Sequence, residues 1–214
     1  MLLSLATVLA LTWPTQHVLT SSPGLCGNVC PVQASGTAQS CVSYPSILTD
    51  FPCEPSSLGQ CVARPDGSGA VKCLSNSWAQ NGSYAIGLRG TTGSFGRAEP
   101  VRFVQDYRAD SISELVLTNY NSEKYPLTLL DGAFNRSSLT SLRIENVDLA
   151  LQKNVFPPHL RSLVLRKTGL RRIPKEVFTL TQLETLEISG QFLDTSWLSK
   201  EEAAFVRNVN CTFG

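Results

Sequence analysis

The most reactive side chains in this 214-residue chain are its 7 cysteines, and Cys26, Cys30, Cys41, Cys53, Cys61 and Cys73 all fall between residues 26 and 73. Thiols at that density either hold a soft metal ion or oxidise to disulfides. A zinc site needs a close Cys pair and further ligands within reach. Here no CxxC occurs, and the only histidines are His17 and His159, both remote from the cluster. The six cysteines therefore read as three disulfides, with their connectivity left open. Cys211 stands alone near the end of the sequence. It either reaches one of the six or awaits a cysteine outside this chain.

Hydrolytic chemistry finds little support. His159 follows Pro157 and Pro158 and reads as a turn residue rather than a general base. Glu184 and Glu187 offer two nearby carboxylates, the minimum for a glycosidase, but exposed acids spaced this way are ordinarily just solvated. Gly90, Gly93 and Gly96 lack both the GxGxxG spacing and the Lys-Ser/Thr pair of a phosphate cradle. No metal or cofactor constellation appears, and the chain is read as a non-enzyme. A formal net charge of +1 gives no reason to expect a nucleic-acid partner.

The elements that organise the chain are leucine ladders. Leu139, Leu142, Ile144 and Leu149 are followed by Leu160, Leu163, Leu165 and Leu170, then by Leu183, Leu186, Ile188 and Leu193, with a weaker copy at Ile112, Leu115 and Leu117. Within each ladder, LxL places two apolar side chains on one face of a short strand and the intervening residue on the other. A single unit of this kind cannot bury its apolar face alone, so neighbouring units must stack. Phe134, Phe156 and Phe178 each precede the next ladder by four or five residues. The ladders, these phenylalanines and the run Ile173, Pro174, Phe178, Leu183, Leu186, Ile188 resemble the leucine-rich repeat family. The resemblance implies an α/β solenoid, a short stack of about four parallel strands. At the family's asparagine position this chain has Tyr120, Val147, Thr168 and Gln191, so the side-chain amide ladder of such stacks is expected to be missing or replaced.

Three regions are expected: a signal peptide over residues 1–22, a cysteine-rich N-terminal module over 23–98, and a repeat domain over 99–214. The first thirteen residues are almost wholly apolar, too short a run to span a bilayer but suited to a secretory signal. No other apolar run approaches spanning length, which predicts a mature chain without a membrane span, secreted to the extracellular side. The N-terminal module is rich in Ser, Pro and Gly and needs cross-links to hold it; its simplest role is to cover the first edge of the stack. Sequons at Asn81, Asn135 and Asn210 predict exposed, glycosylated loops. Ser199 with Glu202 forms a capping box for a helix to about Asn208, expected to close the last repeat.

Solvent-facing strand positions should align across repeats into two columns: Val116, Arg143, Val164, Glu187 and Thr118, Glu145, Arg166, Ser189. Leucine-rich repeat proteins typically bind partners on that concave face, so the resemblance implies Arg143, Glu145, Val164, Arg166 and Glu187 as contact residues, although Glu145 and Arg166 are also placed to pair with each other. The basic run Arg161, Arg166, Lys167, Arg171, Arg172, Lys175 could meet an acidic partner or glycan, although a solvated face is the commoner outcome for such a run. A signal, a Cys-rich module, few repeats and a closing cysteine together resemble the ectodomain of leucine-rich-repeat receptor kinases of the tyrosine-kinase-like group. The expected function is an extracellular recognition module for a protein, peptide or glycan; the alternative is a secreted inhibitor of a foreign extracellular enzyme.

Overall fold

The computed structural model describes residues 40–45, 59–63, 69–74, 82–88, 101–109, 112–190 and 192–214. The expected signal peptide, Cys26, Cys30, Cys53, Asn81 and the glycines at 90, 93 and 96 lie outside them, as does the Cys61 side chain. The described residues form largely parallel-stranded sheets with few helices, a loosely α/β arrangement.

The largest sheet among the described residues has six strands, all parallel: β4 (Ser83–Gly87), β7 (Glu114–Thr118), β9 (Ser141–Glu145), β11 (Ser162–Arg166), β12 (Thr185–Ser189) and β13 (Asn210–Phe213), which follow one another in space in the order they have in the sequence. The ladders supply β7, β9, β11 and β12. Register is set by their period: Leu115, Leu142, Leu163 and Leu186 are successive partners, as are Leu117, Ile144, Leu165 and Ile188, and all are buried. A one-residue slip would turn every one of these leucines to the solvent face.

The connections repeat as regularly as the strands. The Ser113 carbonyl accepts from the N–H groups of Thr140 and Ser141, that of Thr140 from Arg161 and Ser162, and that of Arg161 from Glu184 and Thr185, all at 2.8–3.0 Å. Just past the strands, Asn146, Lys167 and Gly190 all take positive φ, at 56°, 52° and 75°. At Gly190 a side chain is barred by space too, since a Cβ would sit 2.5 Å from Lys167 Cγ.

A second parallel sheet runs in the order β10 (Val147–Leu151), β8 (Tyr125–Leu129), β5 (Phe103–Val104). It supplies Val104, Leu127, Leu129, Val147 and Leu149 to the same apolar cluster that holds the ladder leucines, Phe134 and Phe156. The third sheet is antiparallel, ordered β2 (Gly59–Ala63), β3 (Gly69–Leu74), β1 (Ser40–Pro45), β6 (Asp106–Arg108). Cys41 on β1 and Cys73 on β3 are buried register partners, and each is disulfide-bonded. Which sulfur pairs with which across the six cysteines lies outside the described residues.

The six-stranded sheet holds two strands beyond the four that the ladders supply. β4 precedes residue 98, the expected end of the N-terminal module, yet it pairs with β7. At the other end, α1 (Lys200–Asn208) has its expected box: Ser199 Oγ accepts from the Glu202 N–H, while the Glu202 carboxylate accepts from the Ser199 N–H. The helix, expected to close the last repeat, lies between β12 and β13, and β13 forms the edge of the sheet. The chain extends after Val209, and the N–H of Asn210 donates to the Glu184 carbonyl, which continues the inter-repeat pattern. Phe205 still packs edge-to-face on Phe178, with ring centroids 5.4 Å apart.

Candidate functional site

The outward-facing residues of the six-stranded sheet fall into the two columns that the ladder spacing requires. Val116, Arg143, Val164 and Glu187 are successive register partners, and so are Thr118, Glu145, Arg166 and Ser189. Alternation along β9, β11 and β12 buries the leucines on one side and brings these residues together on the other.

The charged members are not independent. Arg166 donates from Nε and Nη2 to the two carboxylate oxygens of Glu187, and from Nη1 to Glu145 at 3.3 Å. Glu145 also lies 3.7 Å from Arg143, and the Ser189 hydroxyl donates to Glu187 at 2.8 Å. Arg143, Glu145, Arg166, Glu187 and Ser189 thus form one continuous chain of polar contacts across three strands. The Arg166 hydrogen bonds, with help from Ser189 and the Arg143 charge, hold the Glu187 carboxyl below the usual carboxylate range against the opposing effect of burial. Arg166 is in turn held above its ordinary value, chiefly by its hydrogen bond to Glu187.

Val164 departs from expectation. Although it sits on the outward face, it is only 7 % exposed. Its register partners on either side are Arg143 and Glu187, whose longer side chains leave a short valine little access to solvent. It forms part of the floor between the charged residues of this surface.

The amide ladder also differs from the sequence reading. Tyr120 and Val147 occupy the expected asparagine slots, but Asn119 and Asn146, one residue earlier, provide amides in two successive turns. Asn119 Nδ2 donates to the carbonyls of Glu123 and Asn146 at 2.6 and 3.0 Å; Asn146 Nδ2 donates to those of Asn119 and Asn121 at 2.9 and 2.5 Å. The next two turns have Lys167 and Gly190 at this position and no such amide. The pair was visible in the sequence as two asparagines at equivalent places, obscured by the one-residue shift.

The other chemistry-bearing residues are dispersed. Glu184 faces Arg161 at 3.2 Å while Glu187 faces Arg166, so each carboxylate has its own arginine. His159 is half-buried in the turn before Leu160. Cys211 is a free thiol in β13, half-buried against the core, and burial raises its pKa. Asn135 and Asn210 are exposed; Asn135 lies in a turn, whereas Asn210 opens the strand β13 and not the expected loop. Among the described residues no group of three or more His, Cys, Asp and Glu is placed to hold a metal, and no helix is long and apolar enough to cross a membrane.

No protein-family model, no curated protein and no solved structure matches this chain.

Proposed function

We propose that the chain is a short leucine-rich-repeat-type solenoid of the extracellular space, acting as a recognition module that binds a protein, peptide or glycan through the concave face of its parallel sheet. The observation that carries the reading is the chain of charged side chains from Arg143 to Glu187, aligned by register and tied together on the solvent side. Side chains already fixed by mutual ion pairs lose little conformational freedom when a partner arrives, so binding there is favoured by preorganisation. The network also sets a pattern of alternating sign, which selects a partner of matching pattern over one of uniform charge. The resemblance to receptor ectodomains supports a recognition role in preference to catalysis.

The test is a binding screen of secreted proteins, peptides and glycans against the immobilised chain, repeated with Arg143→Glu. Arg143 lies at the end of the network with its side chain 39 % exposed, so the variant should retain the wild-type melting temperature. A ligand of this face should lose about tenfold or more in affinity. Ligands that bind the variant as tightly as the parent would place recognition elsewhere, and an enzyme whose activity is lost on binding would favour the inhibitor reading.

A further inference from the structure

Beyond the C-terminal ends of β11 and β12, the chain turns twice and leaves a pocket of about 570 Å³ between the turns, lined by Gly169, Leu170, Arg171, Arg172, Phe192 and Asp194. That size falls within the range of roughly 300–1,000 Å³ typical of ligand sites. Phe192 is 85 % exposed, the most exposed of the large apolar side chains described. A whole aromatic ring left in water gains from any partner that covers it. Leu170, half-buried, continues the apolar surface.

The charges in the lining do not cancel. Arg171 is exposed and makes no ion pair among the described residues. Arg172 rests over the Trp197 ring, 5.6 Å from its centroid, and stands 3.9 Å from Asp194. Asp194 Oδ1 accepts from the Ser196 hydroxyl at 2.6 Å and from the Ser196 N–H at 2.9 Å, while Oδ2 faces Arg172. Two guanidinium groups therefore meet one carboxylate, which leaves the Arg171 charge unbalanced, and the complement is an anion that can accept paired N–H donors. Among the described lining residues every polar side chain is charged. A carboxylate next to a large apolar group matches that lining.

We propose that this pocket is a second binding site, distinct from the sheet face, for a peptide segment with Asp or Glu beside a large apolar residue. The carboxylate meets Arg171 and Arg172, and the apolar side chain packs on Leu170 and Phe192. The site depends on two turns a full repeat apart, and it stands whether or not the sheet face binds a ligand.

The probe is a library of hexapeptides pairing Asp or Glu with Leu, Ile, Phe or Trp, set against the same library with Asn and Gln replacing the acids, and against sulfated oligosaccharides. Each is measured on the full chain, on Arg171→Glu, on Phe192→Ala and on Arg143→Glu. The proposal expects the acidic library to bind above the amide library. Its best members should lose about tenfold or more on Arg171→Glu and on Phe192→Ala, with no change on Arg143→Glu. Equal binding of the two libraries, unchanged affinity in either pocket variant, or binding of only the oligosaccharides in an Arg171-dependent way would overturn it. Arg171 and Phe192 are both exposed, so neither substitution disturbs the core.

Discussion

Arg166 on β11 holds Glu187 on β12 through two N–H···O bonds, Nε to Oε1 at 2.5 Å and Nη2 to Oε2 at 2.8 Å. The partners are diagonal and not opposite: Arg166 is in register with Ser189, and Glu187 with Val164. A planar guanidinium reaches a carboxylate in this forked geometry where a lysine would offer only a point charge. The same arginine reaches back to Glu145, so one side chain links three strands.

The first prediction concerns pH. Glu187 titrates below its unfolded value in the folded chain. Its contribution to stability is therefore complete above the unfolded glutamate pKa, near about 4.3, and fades as pH falls through the lowered folded value. Because the Arg166 side chain is 42 % exposed and screened by solvent, Glu187→Gln should cost about 1 kcal/mol or less at neutral pH. Denaturant unfolding of both proteins should show this difference shrinking in acid. A difference that stays constant with pH would reject the pairing.

The second concerns the core. Leu163 is fully buried between Leu142 and Leu186. Leu163→Glu places an unpaired carboxylate there and should cost about 3 kcal/mol or more. Folded protein with an unchanged melting temperature would contradict the stacking of the three ladders.

The third concerns Asn146, which combines a left-handed backbone with two amide donations. Asn146→Ala loses both and strains the backbone, for a total of about 2 kcal/mol. Asn146→Gly loses the same hydrogen bonds but tolerates positive φ, so it should be the milder substitution in thermal unfolding. The reverse order would mean that the left-handed turn is not retained in solution.

The fourth concerns Cys211, whose thiol is disfavoured as thiolate by burial. It should react with a disulfide reagent more slowly in native protein than in denaturant at the same pH, because only the thiolate attacks. Equal rates in the two conditions would place the thiol in open solvent.

Much of this architecture is local in origin, and so the amino-acid sequence by itself determined it. Leu142 and Ile144, like Leu163 and Leu165, alternate within a strand, and their spacing alone decides which face is apolar and which columns line up outside it. The Ser199–Glu202 box is equally local, since both hydrogen bonds close within one helical turn. Other features depend on groups that meet only when repeats pack. Val164 alternates like a solvent-facing residue, and its burial follows from the length of its neighbours on two other strands. Asn119 and Asn146 satisfy each other's turns across 27 residues, and a consensus position marks a slot without saying which residue fills it. β4 and β13 carry no leucine ladder; they join the sheet by pairing their backbones with β7 and β12 and become its two edges, a placement set by the neighbouring strands and not by any pattern of their own. The ion-pair chain and the pocket at Phe192 were settled in the same way, because side-chain reach across strands and the gap between two turns are properties of the packed structure and not of any one segment.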